Sequence, residues 1–176
     1  MTTAEFSRPL RLDAIGSEAV SRRIEAEAEE RAALARRFGL LALDSLAAEL
    51  AVSRDAAGIL VDGRIAARLV QACVATGEPV PAAIDAPFRL RFVEDTPAGE
   101  EIELGEDDLD TLLIEGGAVD LGEAAAETLA LEIDPYPRCP NAAEALRAAG
   151  VVSEDEVETG PFAALKALKD RMGKDD

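Results

Sequence analysis

One run of alternating residues constrains this chain more than any other feature. Between residues 58 and 76 one parity is apolar, small or uncharged, and every charged residue falls on the other parity. A period of two is that of a β-strand, whose side chains point alternately to the two faces of a sheet. The run therefore predicts a long strand, or two strands if Asp62-Gly63 forms a hairpin turn. The uncharged parity comprises Ile59, Val61, Gly63, Ile65, Ala67, Leu69, Gln71 and Cys73.

A second strand is predicted over residues 87–93, where Phe88, Leu90 and Phe92 share one parity. The preceding Gly-Glu-Pro-Val-Pro stretch, residues 77–81, is expected to be the connection, because proline cannot donate to a sheet ladder. The two strands are expected to pair as an antiparallel ribbon.

Four arginines have the outward parity on this ribbon. Their guanidinium groups would form a compact array of fork donors suited to phosphates, so they are the candidate contact with RNA or another partner. The alternative is four separately solvated surface charges. The four are Arg64, Arg68, Arg89 and Arg91.

The N-terminal part of the chain predicts a long helix. Ser17 is a suitable N-cap and Gly39 a suitable stop, and apolar residues between them, Val20 and Ile24 first, recur at helical spacing. Residues 40–53 fit either a strand or a helix, and the segment around Pro9 fits an edge strand at most.

The C-terminal part predicts short helices. Asp120 and Glu123 have the spacing of a capping box and open a helix that runs to about Glu132. A second helix opens at Asn141. After a polar spacer, an amphipathic segment at residues 161–172 is expected either to fold back or to dock on a partner.

These elements predict an α+β fold. We expect a small antiparallel β-sheet or partial barrel, with a long N-terminal helix and short C-terminal helices packed against it. The predicted division is a single domain over residues 1–152, followed by the spacer and amphipathic C-terminal helix over residues 153–176.

The net charge of −18 is concentrated in one segment. Residues 94–134 contain fifteen acidic side chains and no lysine or arginine. This segment repels polyphosphate, so we expect it to face a basic protein or a magnesium-rich surface, or to be a solvated acidic loop. The candidate face for a basic partner consists of Glu100, Glu101, Glu103, Glu106, Asp107 and Asp108.

The composition argues against an enzyme and against cofactors. The chain has no histidine, the commonest general base and transition-metal ligand, and its two cysteines are 66 positions apart. Cys73 is expected to be a buried, inert thiol. We expect a cytoplasmic protein, because the chain shows no leader pattern and no run of about 18 apolar residues.

Two segments carry a resemblance to a known family. The first reads QACVATGEPV from Gln71 and leads into FRLRF from Phe88. The second reads VDLGEAAAETLAL from Val119 and is followed by PYPR, and the terminal GPFAAL from Gly160 adds to both. Together they resemble the bacterial YceD-type family, which is named for accumulation of large-subunit ribosomal RNA. Its motif positions here are Cys73, Gly77, Glu78, Pro79, Asp120, Leu121 and Glu123, for which we expect structural roles.

The resemblance implies a non-enzymatic factor that supports accumulation or processing of large-subunit ribosomal RNA during ribosome biogenesis. Its partner would be ribosomal RNA or a basic ribosomal or processing protein, with no DNA and no membrane. Some relatives have additional cysteines in a Cys-x-x-Cys arrangement that this chain lacks, so no metal is expected here. The alternative is an acidic interaction module, or a chaperone-like holder of a basic partner, unrelated to ribosomes. A metal-dependent hydrolase using the cluster between Asp107 and Asp110 is a remote third class.

Overall fold

A computed structural model describes residues 4–94, 110–114 and 116–151. The six candidate acidic residues between Glu100 and Asp108 lie outside the described residues. So do the predicted spacer and the amphipathic C-terminal helix.

The molecule is built on a five-stranded mixed sheet, whose strands in order across the sheet are β2 (Val20–Glu25), β3 (Ala42–Asp55), β4 (Gly58–Ala72), β5 (Pro79–Val93) and β6 (Asp110–Leu113). The last two strands pair in parallel and the other neighbours are antiparallel. Two further strands, β1 (Pro9–Arg11) and β7 (Ala118–Asp120), form a small antiparallel pair.

The predicted long N-terminal helix is wrong. Residues Val20–Glu25 are strand β2, which pairs with β3 from Val20 opposite Val52 to Glu25 opposite Ala47. The helix α1 begins only at Ala28 and ends at Arg37. Ionic and apolar residues three and four apart suited a helix locally, but the six-residue ladder to β3 determines the conformation.

The predicted fold class is also wrong. The described residues are dominated by strands, the main sheet is mixed rather than antiparallel, and the three α-helices are short. Within the described part of the chain β2 and β6 are edge strands, so this sheet does not close into a barrel.

The long strand predicted from residue 58 is confirmed, and a turn at Asp62-Gly63 does not form. Gly63 lies in mid-strand between Leu50 and Phe88 on the neighbouring strands. A Cβ at Gly63 would come within 2.7 Å of Leu50 Cδ2 and 3.0 Å of Phe88 Cε1. The glycine is therefore explained by close packing from both sides.

The Gly77–Pro81 stretch is only partly a connection, because β5 already begins at Pro79. Pro79 pairs with Ala72 and Pro81 with Val70, while β6 contacts β5 only from Leu90 onward. Over its first half, β5 is therefore an edge among the described residues. Proline fits there because its missing N–H can face the open side.

The core lies between one face of the sheet and the helices α1 and α2 (Leu121–Glu132). Leu34 of α1, Leu46 of β3, Ile65 of β4 and Leu129 of α2 are fully buried in a single cluster. Phe6, before β1, is buried in the same cluster. The opposite sheet face is free to carry the charged side chains. A short helix α3 (Ala142–Ala148) ends the described chain.

Candidate functional site

The four arginines named above lie on the exposed face of the sheet. Arg89 is directly opposite Asp62, and Arg64 and Arg68 occupy the same parity of β4. The opposite parity of β4 contributes Val61 and Ile65 to the core. Register thus brings the four side chains to one surface, which we call the arginine face (Arg64, Arg68, Arg89 and Arg91).

Carboxylates occupy the same surface and pair with three of the four arginines. Arg89 Nε donates to Asp62 at 2.6 Å, and Arg91 Nη1 to Asp55 at 2.8 Å. Arg64 pairs with Asp85. Pairs this exposed contribute little to stability, but they cancel most of the positive potential that a phosphate backbone would need.

Arg68 differs from the other three. Among the described residues no carboxylate forms an ion pair with Arg68, and the Arg68 side chain is exposed. A groove of about 590 Å³ beside the arginine face is lined by side chains of both signs, among them Arg23, Arg64, Glu49 and Asp62. On the arginine face as a whole, basic side chains therefore lie beside acidic ones.

A second surface feature is a groove between α2 and the sheet, which we call the acidic groove. Its volume is about 390 Å³. Phe88 and Leu90 of β5 contribute apolar surface, and the largely exposed Leu131 stands at its border. Its carboxylates are Asp110, Glu127 and Glu132, and Arg89 is the basic residue that lines it.

Burial and the nearby Glu123 carboxylate raise the pKa of Glu127, although Arg37 acts in the opposite direction. A raised pKa means that the folded protein holds the negative charge of Glu127 at some cost. A cationic group brought to the acidic groove would relieve that cost.

Asp120 caps α2 as predicted, accepting hydrogen bonds from the backbone N–H groups of Gly122 and Glu123. It also accepts from the Arg8 N–H at 2.7 Å and from the Ser7 hydroxyl, so one carboxylate joins the N-terminal segment to the helix. Glu123 forms an ion pair with Arg37 at 2.7 Å. Its predicted place in a reciprocal capping box is therefore taken by a tertiary contact.

The structure brings the two cysteines together, which the sequence reasoning missed. Cys73 follows β4, Cys139 precedes α3, and Cys139 Sγ lies 3.0 Å from Cys73 Sγ. Cys73 is buried, but in a small cluster with Cys139 and Ala142 rather than in the main core. The available signal was local: a Gly-Glu-Pro turn after one cysteine and a proline-rich segment before the other.

Polar groups surround the two sulfur atoms. The Cys139 N–H donates to Cys73 Sγ at 3.2 Å, and the Thr76 hydroxyl is 3.2 Å from Cys139 Sγ. Burial opposes a thiolate at Cys73, but hydrogen bonds from Cys139, Thr76 and Ala75 together lower the pKa of Cys73 to about 6. The hydrogen bond with Cys73 raises the pKa of Cys139, so the two thiols do not ionise independently.

Neither a metal site nor a membrane span is found in the described parts of the chain. No group of three or more His, Cys, Asp or Glu residues there is arranged to hold a metal ion. Among these residues, no helix is both long enough and apolar enough to cross a membrane. The Asp107 and Asp108 positions of the remote hydrolase hypothesis are outside this part.

The fold and these surfaces define a sheet-dominated protein with an arginine face, an acidic groove and a thiol pair. Residues 61–169, more than half of the chain, match the family described as "Large ribosomal RNA subunit accumulation protein YceD". The chain belongs to this family, as its motifs predicted. The description links the family to the ribosome. Comparison with curated proteins and with solved structures gave no match in either case.

Proposed function

We propose that this protein is a non-enzymatic factor in ribosome biogenesis that supports the accumulation or processing of large-subunit ribosomal RNA. Membership of the YceD family is the observation that carries this proposal. The absence of histidine from the sequence is consistent with a binding role, since it removes the commonest general base.

The protein acts by binding a basic ribosomal or processing protein in the acidic groove. Lysine and arginine side chains of such a partner would meet Asp110, Glu127 and Glu132, and its apolar residues would cover Leu131. The unbroken acidity of residues 94–134 would add long-range attraction and speed association.

A triple variant tests this mechanism: Asp110→Asn, Glu127→Gln and Glu132→Gln. Its matched control is Glu18→Gln, Glu29→Gln and Glu144→Gln, which changes the net charge equally at exposed sites outside the groove. The probe is a mixture of purified large-subunit ribosomal proteins. We expect the groove variant to lose at least about tenfold in affinity for one of them, together with the salt dependence of its binding.

The cellular measurement is the ratio of large to small ribosomal subunits on a sucrose gradient in cells expressing each variant at equal level. The groove variant should be deficient and the control normal. Normal subunits with the groove variant would reject the groove as the working surface. Normal subunits in cells without the protein would reject the ribosomal function itself.

The second candidate is direct contact between ribosomal RNA and the arginine face. What favours it is the shared face of the four arginines and the absence of an ion pair at Arg68 in the described structure. The three paired carboxylates and the net charge of −18 oppose it, which is why we rank it second. An acidic holder of a basic partner unrelated to ribosomes remains the alternative outside ribosome biogenesis.

A further inference from the structure

Cys73 and Cys139 lie in a setting that simple packing does not require. Two cysteines that only fill space can be surrounded by apolar atoms, as the main core of this protein is. Here the two sulfur atoms are 3.0 Å apart, a backbone N–H points at one, and a hydroxyl contacts the other. Both residues are buried, with 3% of Cys73 and 6% of Cys139 exposed to solvent. Each sulfur atom therefore contacts the other sulfur rather than bulk water.

We propose that Cys73 and Cys139 are a peroxide-sensitive modification site, at which hydrogen peroxide converts the two thiols into a reversible intramolecular disulfide. This inference is independent of the proposed function, because it depends only on the thiol pair and its neighbours.

The elements that carry the cysteines allow the bond to form. Cys73 follows the last residue of β4, and Cys139 lies in the segment before α3. A disulfide needs an S–S distance of about 2.05 Å, so the sulfurs must approach by about 1 Å. Both cysteines lie outside the strands and helices, so we expect this movement to leave the sheet ladder intact. The hydrogen bond from Val74 N–H to the Pro137 carbonyl, 2.9 Å, already holds the segments together.

The same surroundings give the two sulfur atoms different roles. The three hydrogen-bonding groups at Cys73 favour its thiolate, the nucleophilic form, while Cys139 keeps its proton. The pair therefore has an attacking sulfur and a resolving sulfur within contact of each other, which is one feature of peroxide-sensing cysteines.

The reaction balances in two steps. The Cys73 thiolate attacks one peroxide oxygen, an S–O bond forms, the O–O bond breaks, and hydroxide leaves and takes a proton to become water. Cys139 sulfur then attacks Cys73 sulfur, an S–S bond forms, the S–O bond breaks, and the thiol proton leaves with the second hydroxide as water. Two electrons pass from the sulfurs to the peroxide oxygens.

The consequence is a covalent link between the β4–β5 turn and the segment that leads to α3. In the reduced protein this contact consists of hydrogen bonds such as Gln71 Nε2 to the Asp134 carbonyl, 2.7 Å. The disulfide would close a long loop and restrict the unfolded chain. We expect the oxidised protein to unfold at a temperature higher by about 5 °C or more.

The experiment exposes the purified, fully reduced chain to hydrogen peroxide and measures intact mass, free thiols in denaturant and disulfide-linked peptides. The expected mass change is a loss of about 2 Da as two thiol hydrogens are removed. Free thiols should fall from two per chain to none, one linked peptide should contain Cys73 and Cys139, and dithiothreitol should restore both thiols.

Three variants sharpen the result. In Cys139→Ser, Cys73 should stop at the sulfenic acid, a gain of about 16 Da that a sulfenic-acid trap captures. In Cys73→Ser, the remaining thiol should react several-fold more slowly than Cys73 does. Thr76→Val removes the hydroxyl while keeping the shape, and should slow disulfide formation without preventing it.

Three outcomes on the wild-type chain would overturn the proposal, whether or not the variants fold. They are two thiols remaining after peroxide has oxidised an equal amount of glutathione, oxygen addition without loss of hydrogen, and intermolecular dimers in place of the internal link.

Discussion

At the scale of single residues, Asp120 is the clearest case of one side chain with several partners. It accepts hydrogen bonds from two amides of α2, from the Arg8 amide and from the Ser7 hydroxyl. The sequence predicted the first role from capping spacing alone. The second could not be predicted, because Ser7 and Arg8 are more than 110 positions away.

Asp120→Ala should lower the free energy of unfolding by about 2–3 kcal/mol, because it removes a helix cap and leaves further donors without an acceptor. Asp120→Asn keeps the cap acceptor and should cost less than about 1 kcal/mol. Urea unfolding followed by circular dichroism measures both. Equal losses in the two variants would contradict the cap as the source of stability.

Gly122, the second residue of α2, lies against the N-terminal segment. A Cβ there would overlap the Phe6 carbonyl oxygen and come within 3.1 Å of the Arg8 nitrogen. Alanine is the better helix former by about 1 kcal/mol, but this contact is with backbone, which cannot rotate away.

Gly122→Ala should therefore lower the free energy of unfolding by about 1–3 kcal/mol. Gly16→Ala is the matched control, since nothing lies within 4 Å of a Cβ at that position. It should change stability by less than about 0.5 kcal/mol. A stabilised Gly122→Ala protein in the same urea titration would show that the start of α2 packs less tightly against the N-terminal segment than this contact implies.

At the scale of elements, a bidentate ion pair joins the N-terminal segment to α1. Arg8 donates to both carboxylate oxygens of Glu30, at 2.6 and 2.8 Å, and Glu30 also accepts from the Glu27 N–H. The hydrogen bonds from Arg8, against the effect of burial, hold the pKa of Glu30 below its ordinary value.

This ion pair should make stability depend on pH in a defined direction. Because folding depresses the pKa of Glu30, its contribution is complete above the unfolded carboxyl pKa, about 4.3, and is lost as the pH falls through the folded value. Glu30→Gln should cost about 1 kcal/mol at pH 7 and progressively less in acid.

Urea unfolding of the wild type and of Glu30→Gln at several pH values between about 3 and 7 measures this difference. Glu29→Gln, an exposed change on the preceding residue, should show no comparable trend. A cost that is the same at every pH would reject the ion pair as its cause.

At the scale of the whole molecule, the net charge of −18 and the arginine face have opposite effects on RNA binding. The net charge repels RNA, whereas the arginines attract its phosphates. A quadruple variant separates these two effects, with glutamine in place of Arg64, Arg68, Arg89 and Arg91. If RNA binds this face, the quadruple variant should flatten the salt dependence of RNA affinity and reduce large-subunit ribosomal RNA in cells. The fold should persist, because the inward parity is unchanged.

The matched control changes Arg22, Arg36, Arg138 and Arg147 to glutamine, which are exposed and alter the net charge equally. Equal effects of the two variants would mean that only the overall field matters. Normal ribosomal RNA in the arginine-face variant would exclude this face from the function.

The acidic segment has its own test. Replacing Glu100, Glu101, Glu103, Glu106, Asp107 and Asp108 by amides should weaken capture of a basic partner and make it less sensitive to salt. RNA affinity should stay unchanged or rise, because repulsion falls. Binding to ribosomal proteins and to ribosomal RNA fragments can be measured on the same protein, and a loss of RNA binding would contradict the prediction.

Where a pattern is local, the sequence by itself determined the outcome. The period of two predicted β4 and the core parity of β5, and the capping spacing predicted α2, because each depends on residues at most a few positions apart. The family was likewise predicted from its motifs and is confirmed by the match over residues 61–169.

Only the tertiary structure decided the rest. Pairing with β3 made Val20–Glu25 a strand where local spacing favoured a helix, and β6 made the sheet mixed through a parallel pairing. The register of β4 and β5 placed Asp62 opposite Arg89, and the tertiary fold brought Cys73 into contact with Cys139. These contacts join residues far apart in the chain, and their free energy belongs to the packed state rather than to any segment alone.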